Sequence, residues 1–168
     1  MFMKRLVYII PILLVALTSC GIYSFSGTSI MPDVKSISVV RIENRALRVN
    51  PSLSNLITEE LKEKYRKLTK LSIVDMDADL IVEGEITNYE VTAMAVTANE
   101  VASMNRLTIT IKIKYTNKKH PNEDFERSFA EFEDYPSSTS LDAAEARLVD
   151  AIVEKFTESI FNATVANW

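Results

Sequence analysis

The sequence is poor in the residue types that most chemistry needs. Its 168 residues include one cysteine, one histidine, three glycines and one tryptophan. A single thiol, Cys20, excludes a disulfide within the chain. With one histidine besides, it leaves no ligand set for zinc, which takes several His or Cys side chains. The histidine, His120, lies next to Pro121 in the Lys-rich turn 117–122, where it reads as a solvated loop residue rather than a base. No Gly-x-Ser-x-Gly elbow and no phosphate-cradling glycine loop occurs. Asp75, Asp77 and Asp79 alternate as in a calcium loop, but the sixth and twelfth positions from Asp75 are Leu80 and Ile86 instead of glycine and glutamate. They read as a polar turn. Glu83 and Glu85 have the chemistry for acid–base work, yet they share the wet face of a strand pattern. No catalytic residue, metal ligand or cofactor is therefore expected. The chain reads as one that binds or assembles.

What is present begins at the N terminus. Lys4 and Arg5 precede Leu6–Leu17, twelve residues without a charge. That run is too short for a spanning helix, which needs about 20 apolar residues. A positive start, a short apolar centre and small residues behind it form the pattern of a secretory signal peptide. Leu17-Thr18-Ser19-Cys20 then has the form of a bacterial lipoprotein box, which makes Cys20 the expected lipidation site and residues 1–19 the expected signal peptide. Acylation of thiol and new amine supplies the two or more chains that stable anchoring takes. No aspartate follows Cys20, so the expected location is the periplasmic face of the outer membrane. Without its signal the chain has 149 residues, with seventeen basic against twenty-three acidic side chains, a net of −6. That length suits one domain with one core, and that charge argues against nucleic acid as a partner.

Residues 20–36 read as a lipidated tether that becomes structured toward its end, and residues 37–168 as the domain. Ile37–Ile42 is a β-branched strand candidate. Asn50-Pro51 marks a helix start, and Leu53, Leu56, Ile57, Leu61, Tyr65 and Leu68 give one apolar stripe over 52–68. Its acidic residues come early and its basic ones late, matching the helix dipole. Strands are expected at 71–74 and 80–91, with Gly84 marking a bulge or a close backbone approach. Residues 92–103 read either as an extension of the flanking strands or as a loop. Leu107, Ile109, Ile111, Ile113 and Tyr115 alternate with polar residues, the pattern of a half-buried strand, and Phe125–Phe132 returns antiparallel to it. Leu141, Ala144, Leu148, Ile152, Phe156, Ile160 and Ala163 mark a second helix. This order predicts an α+β domain, two helices packed on one face of a four- to five-stranded mostly antiparallel or mixed sheet.

Two basic groupings remain. Arg41, Arg45 and Arg48 precede the first helix, and Arg106, Lys112 and Lys114 share the wet face of the best strand, with Lys118 and Lys119 in the turn beyond. They read either as ordinary solvated faces or as a patch for phosphate or carboxylate groups, such as a lipid headgroup.

Several stretches resemble the LptE family of lipopolysaccharide-assembly lipoproteins. They are Cys20-Gly21-Ile22-Tyr23 with Gly27 nearby, Ala78–Ile86 with Tyr89, Asn105–Tyr115, and the ending Ile160–Trp168. The resemblance implies a sheet of about four strands against two helices and a function without a reaction. It implies two partners, an LptD-type outer-membrane β-barrel that the protein helps to fold and plugs, and lipopolysaccharide on its way to the cell surface. A lipopolysaccharide contact at Arg106, Lys112 and Lys114 is our own expectation, since the resemblance aligns no single charged residue. An alternative reading is an auxiliary lipoprotein of another envelope lipid-transport system.

Overall fold

The computed structural model describes residues 29–48, 50–94 and 103–165; the signal-peptide pattern, Cys20 and residues 95–102 lie outside them. In chain order the elements are β1 (Ser36–Val39), β2 (Glu43–Asn44), α1 (Leu53–Leu68), β3 (Ser72–Ile73), β4 (Leu80–Met94), β5 (Met104–Asn117), β6 (Phe125–Pro136) and α2 (Leu141–Val165). The strands form one sheet in the order β3-β1-β4-β5-β6, with β2 also on β4. Both helices lie on one face, so the domain is α+β. The sheet is mixed, since β1 runs parallel to β3 and β4, β2 runs parallel to β4, and β4–β5–β6 is an antiparallel meander. Among the described residues it has six strands, one more than expected: the strand expected over 37–42 ends at Val39, and Glu43–Asn44 forms a further short one.

The split has a local cause. After Val39 the chain needs one residue more than β4 to cover the same length: Val39 lies opposite Val82, and Glu43 opposite Glu85. Within this bulge the Ile42 peptide leaves the ladder. Its N–H donates to the Thr58 hydroxyl at 3.1 Å, and its carbonyl accepts from the Ser54 hydroxyl. Both hydroxyls belong to α1, so the helix completes hydrogen bonds that the sheet gives up. The Ile42 side chain is fully buried and comes within 3.7 Å of where Gly84 would carry a Cβ. That position also lies 2.7 Å from Ile113 Cδ1 and 2.9 Å from the Lys112 carbonyl. Gly84 is thus a site of close backbone approach, and any side chain there would displace β5.

The helices were nearly legible. α1 begins at Leu53, not at Pro51, because Asn50 Oδ1 accepts from the Ser52 N–H at 3.0 Å and its hydroxyl at 2.8 Å, folding Asn50–Ser52 into a turn ahead of the helix. Its first turn holds no acidic residue, whereas its last turn carries Arg66 and Lys67, so only the C-terminal half of the dipole match exists. Leu53, Ile57, Leu61 and Tyr65 are fully buried, while Leu68 at the helix end is exposed. α2 buries a wider stripe than expected. Val149, Val153, Phe161 and Val165 join the expected positions because the helix packs on both the sheet and α1. The Tyr65 hydroxyl meets Thr164 Oγ1 at 2.6 Å between the helices, and burial pushes that phenol well above its usual pKa.

β4 changes face part-way. Leu80, Val82 and Ile86 point inward, a bulge at Thr87 shifts the register, and Tyr89 then becomes the buried residue. Residues 92–94 extend the strand and pair with 104–106. At the far edge, β6 pairs among the described residues with β5 alone. There Lys155 of α2 donates to the Phe132 carbonyl at 2.8 Å and pairs with Glu133 at 2.7 Å.

Thr58→Val keeps the shape of the side chain but leaves the buried Ile42 N–H without an acceptor. It is expected to lower stability by about 1–3 kcal/mol, read as a shift in the urea midpoint, whereas Thr58→Ser, which keeps the accepting hydroxyl, is expected to avoid most of that loss. Equal midpoints for Thr58→Val and the parent would show that the contact holds nothing.

Candidate interaction surface

Away from the helices the sheet shows a polar face built by strand alternation. On β4 it carries Glu83 and Glu85, on β5 Arg106, Lys112 and Lys114, and on β6 Glu126, Phe132 and Asp134. The antiparallel register sets Lys114 opposite Glu83 and Glu126, Lys112 opposite Glu85, and Arg106 opposite Asp134. The three cations expected to form a patch therefore stand on one face, with carboxylates beside each.

Arg106 is the most organised of them. Its Nε reaches Asp134 Oδ1 at 2.8 Å and its terminal nitrogen reaches Oδ2 at 3.0 Å, a two-pronged contact of the kind guanidinium geometry favours. The same group lies 3.6 Å above the centre of the Phe132 ring, a cation–π arrangement. The guanidinium holds the Asp134 carboxyl below its usual pKa, and Asp134 raises that of Arg106. Lys112 pairs with Glu126. The Glu126 carboxylate raises the ammonium's pKa, and the ammonium lowers the carboxyl's. Lys114 reaches Glu83 at 3.2 Å.

A shallow groove of about 330 Å³ opens on this face where β1 gives way to β2. Arg41, Arg45, Lys112 and Lys114 line it together with Glu43, Glu83, Glu85 and Glu126. The two basic groupings read from the sequence thus meet in part, through Arg41 and Arg45 of the first and Lys112 and Lys114 of the second; Arg106, Lys118 and Lys119 lie outside the groove, and Arg48 lies 3.8 Å from Asp142 and over the Tyr89 ring. Arg45 pairs with Glu43 at 2.8 Å and Glu85 at 3.2 Å. Arg41 donates to the Ser54 hydroxyl at 3.3 Å and has no carboxylate partner among the described residues. Sequence reasoning identified the cations and noted Glu83 and Glu85, but missed that they pair, and missed Phe132. The available signal was the spacing: Glu83 and Glu85 are two apart, as are Lys112 and Lys114, so one register brings both pairs together.

The other polar clusters have structural work. Asp79 Oδ2 accepts from the Lys35 N–H at 2.8 Å and from the Ser36 N–H and hydroxyl, each at 3.2 Å. Those bonds tie β4 to the start of β1 and hold the Asp79 carboxyl below its usual pKa. Asp77 faces Lys118 at 3.6 Å. Among the described residues no three acidic, His or Cys side chains converge on a point that would hold a metal ion. His120 Nε2 lies 3.0 Å from Asp33 Oδ1, and that contact lowers the Asp33 pKa. No helix among the described residues is long and apolar enough to cross a membrane.

A family model described as LptE, lipopolysaccharide-assembly, matches residues 34–164, from just before β1 to the last turn of α2. The chain belongs to the LptE family. Its fold is also similar to solved structures of low sequence identity. A putative neuraminyllactose-binding hemagglutinin homolog from Helicobacter pylori is 10% identical, with 82% of this chain and 87% of that one covered and a TM-score of 0.55. A minor lipoprotein from Acinetobacter baumannii is 14% identical, with coverages of 76% and 89% and a TM-score of 0.44. An uncharacterized lipoprotein B from Nitrosomonas europaea is 10% identical, with coverages of 76% and 79% and a TM-score of 0.47. No curated protein matches the sequence significantly. At 10% identity the likeness to the hemagglutinin homolog speaks to the fold alone. The assignment to the LptE family rests on the match over 34–164, which spans both helices and all six strands.

The Arg106–Asp134 pair gives this face a pH dependence of known sign. Unfolded aspartate titrates near 3.9, and Asp134 titrates lower when folded. Its contribution is therefore present above about pH 4 and lost as pH falls through the folded value. Asp134→Asn is expected to be less stable than the parent at pH 7 and equal to it near pH 2, judged by urea midpoints. The same deficit at both pH values would assign the difference to packing instead of charge.

Proposed function

We propose that this LptE-family protein is an outer-membrane lipoprotein subunit of the lipopolysaccharide export complex. It is made with the signal peptide 1–19, acylated at Cys20, and held at the periplasmic face of the outer membrane. It assists the folding of an LptD-type β-barrel, sits in its lumen as a plug, and contacts lipopolysaccharide on the way through. The carrying observation is the family match across the whole described domain. The lipoprotein box at Leu17–Cys20 supports the anchor.

The charge-paired face suits a water-filled lumen. Its cations and carboxylates alternate, so little net field opposes a polar wall. A phosphate carries about −1.5 to −2 charge and three acceptor oxygens, so it competes with Glu126 and Glu83 for Lys112 and Lys114, and Arg41 beside them is already without a carboxylate. Arg106 offers a guanidinium already flattened on Phe132. A rigid surface that exchanges partners in this way binds and releases a phosphorylated lipid without altering it, which fits a subunit that performs no reaction.

Isolation of the protein from detergent-solubilised outer membranes is expected to bring an integral β-barrel and lipopolysaccharide with it, and depletion is expected to lower surface lipopolysaccharide. Normal barrel assembly and normal surface lipopolysaccharide after depletion would overturn the reading. Recovery of an inner-membrane lipid transporter instead would point to another envelope transport system. Lys112→Gln with Lys114→Gln is expected to weaken lipopolysaccharide binding by roughly 1 kcal/mol per lost ammonium, measured with the purified protein, while the far-UV spectrum stays that of the parent.

A further inference from the structure

We infer that the end of the domain nearest Cys20 docks on the anionic phospholipid surface of the membrane, through a groove of apolar and lysine side chains. The inference rests on the reading of Cys20 as acylated and adds an orientation to it. The chain enters the fold where the Ser29 N–H donates to the Val165 carbonyl at 2.8 Å, at the C-terminal end of α2. Residues 30–35 then pass the C-terminal end of α1 and bound a groove of about 500 Å³. Met31 and Leu68 line it and are 46% and 51% exposed. Its three charged lining residues are all lysines, Lys35, Lys67 and Lys70. Lys67 contacts Glu63 at 3.3 Å, while Lys35 and Lys70 have no carboxylate partner among the described residues. In the neighbouring β5–β6 turn, by contrast, Lys118 and Lys119 face Asp77 and Asp79 at 3.6 and 3.7 Å.

A chain with a net charge of −6 after signal removal has no general attraction to an anionic surface, so a local all-lysine rim around exposed apolar groups needs a specific occupant. Methionine and leucine that enter the headgroup region, ringed by ammonium groups that meet lipid phosphates, are the combination that binds such a surface. Distance fits as well. Nine residue steps separate Cys20 from Ser29, and nine extended residues span at most about 30 Å. Acylated Cys20 therefore keeps this groove close to the bilayer.

The mature lipoprotein, extracted in detergent, can be reconstituted into vesicles of phosphatidylethanolamine with phosphatidylglycerol, or of phosphatidylcholine alone, each containing a lipid-borne nitroxide. Because Cys20 is the only cysteine and its sulfur is alkylated, Met31→Cys or Asp142→Cys introduces a unique thiol for a fluorophore. Asp142 lies in the first turn of the 25-residue α2, about 35 Å from its last turn. The Met31→Cys probe is expected to be quenched in the anionic vesicles and not in phosphatidylcholine, and the Asp142→Cys probe in neither. Lys35→Gln, Lys67→Gln and Lys70→Gln together are expected to abolish the quenching. Equal quenching at both positions, no dependence on anionic lipid, or quenching that survives loss of the lysines overturns the docking surface. So does a Met31→Cys probe shielded only when a β-barrel partner is added, which would make that partner the occupant. Mass spectrometry of the same samples reads Cys20 directly: docking that fails on an acylated chain leaves the anchor standing, whereas an unmodified sulfur overturns the anchor and the inference built on it.

Discussion

The arrangement depends on the meeting of Ile42 with Gly84. A parallel strand that stayed in register past Val39 would leave no space for the Ile42 side chain. The absence of a side chain at Gly84 supplies that space, with Ile113 and the Lys112 carbonyl closing it from the far side. Once Ile42 turns in, it no longer bonds to β4; Thr58 accepts from its N–H and Ser54 donates to its carbonyl. Helix, broken strand and central strand are locked by one buried contact. The shallow charged groove on the opposite face opens where the strand breaks, so the same contact also shapes the candidate surface.

This constraint explains which parts were legible. The strict alternation of Leu107 to Tyr115 and the three-to-four spacing in both helices are local patterns, and both survived into the structure. The early end of β1 at Val39 was not legible, because Ile37–Ile42 is a good strand by propensity and only the hydroxyls of a helix twelve or more residues later draw Ile42 off the ladder. The parallel pairing of β1 with β3 and β4 was equally hidden, since a strand's composition does not reveal its neighbours' direction. The bulge at Thr87 escaped for the same reason: it follows from matching two long strands, and no glycine or proline marks it.

The candidate surface divides along the same line. Arg106, Lys112 and Lys114 could be assigned to one wet face from alternation alone. Whether they stood free or paired depended on register, which places Glu83, Glu126 and Asp134 within reach. Leu68 shows the converse. It continues the apolar stripe of α1 by spacing, yet it stands exposed, because the periodicity of a helix runs on after its buried packing has ended. Position along an element, as much as face, decides whether an apolar residue joins the core or a surface.

The open edge of β6 has one more consequence. A twelve-residue strand bonded on one side is a template for uncontrolled stacking of further chains. Lys155 reaches over from α2 to occupy the Phe132 carbonyl and then Glu133, so an incoming backbone finds an ammonium group where it would need a free acceptor. The 25-residue helix α2 thus covers part of an edge that would otherwise stay open to another strand.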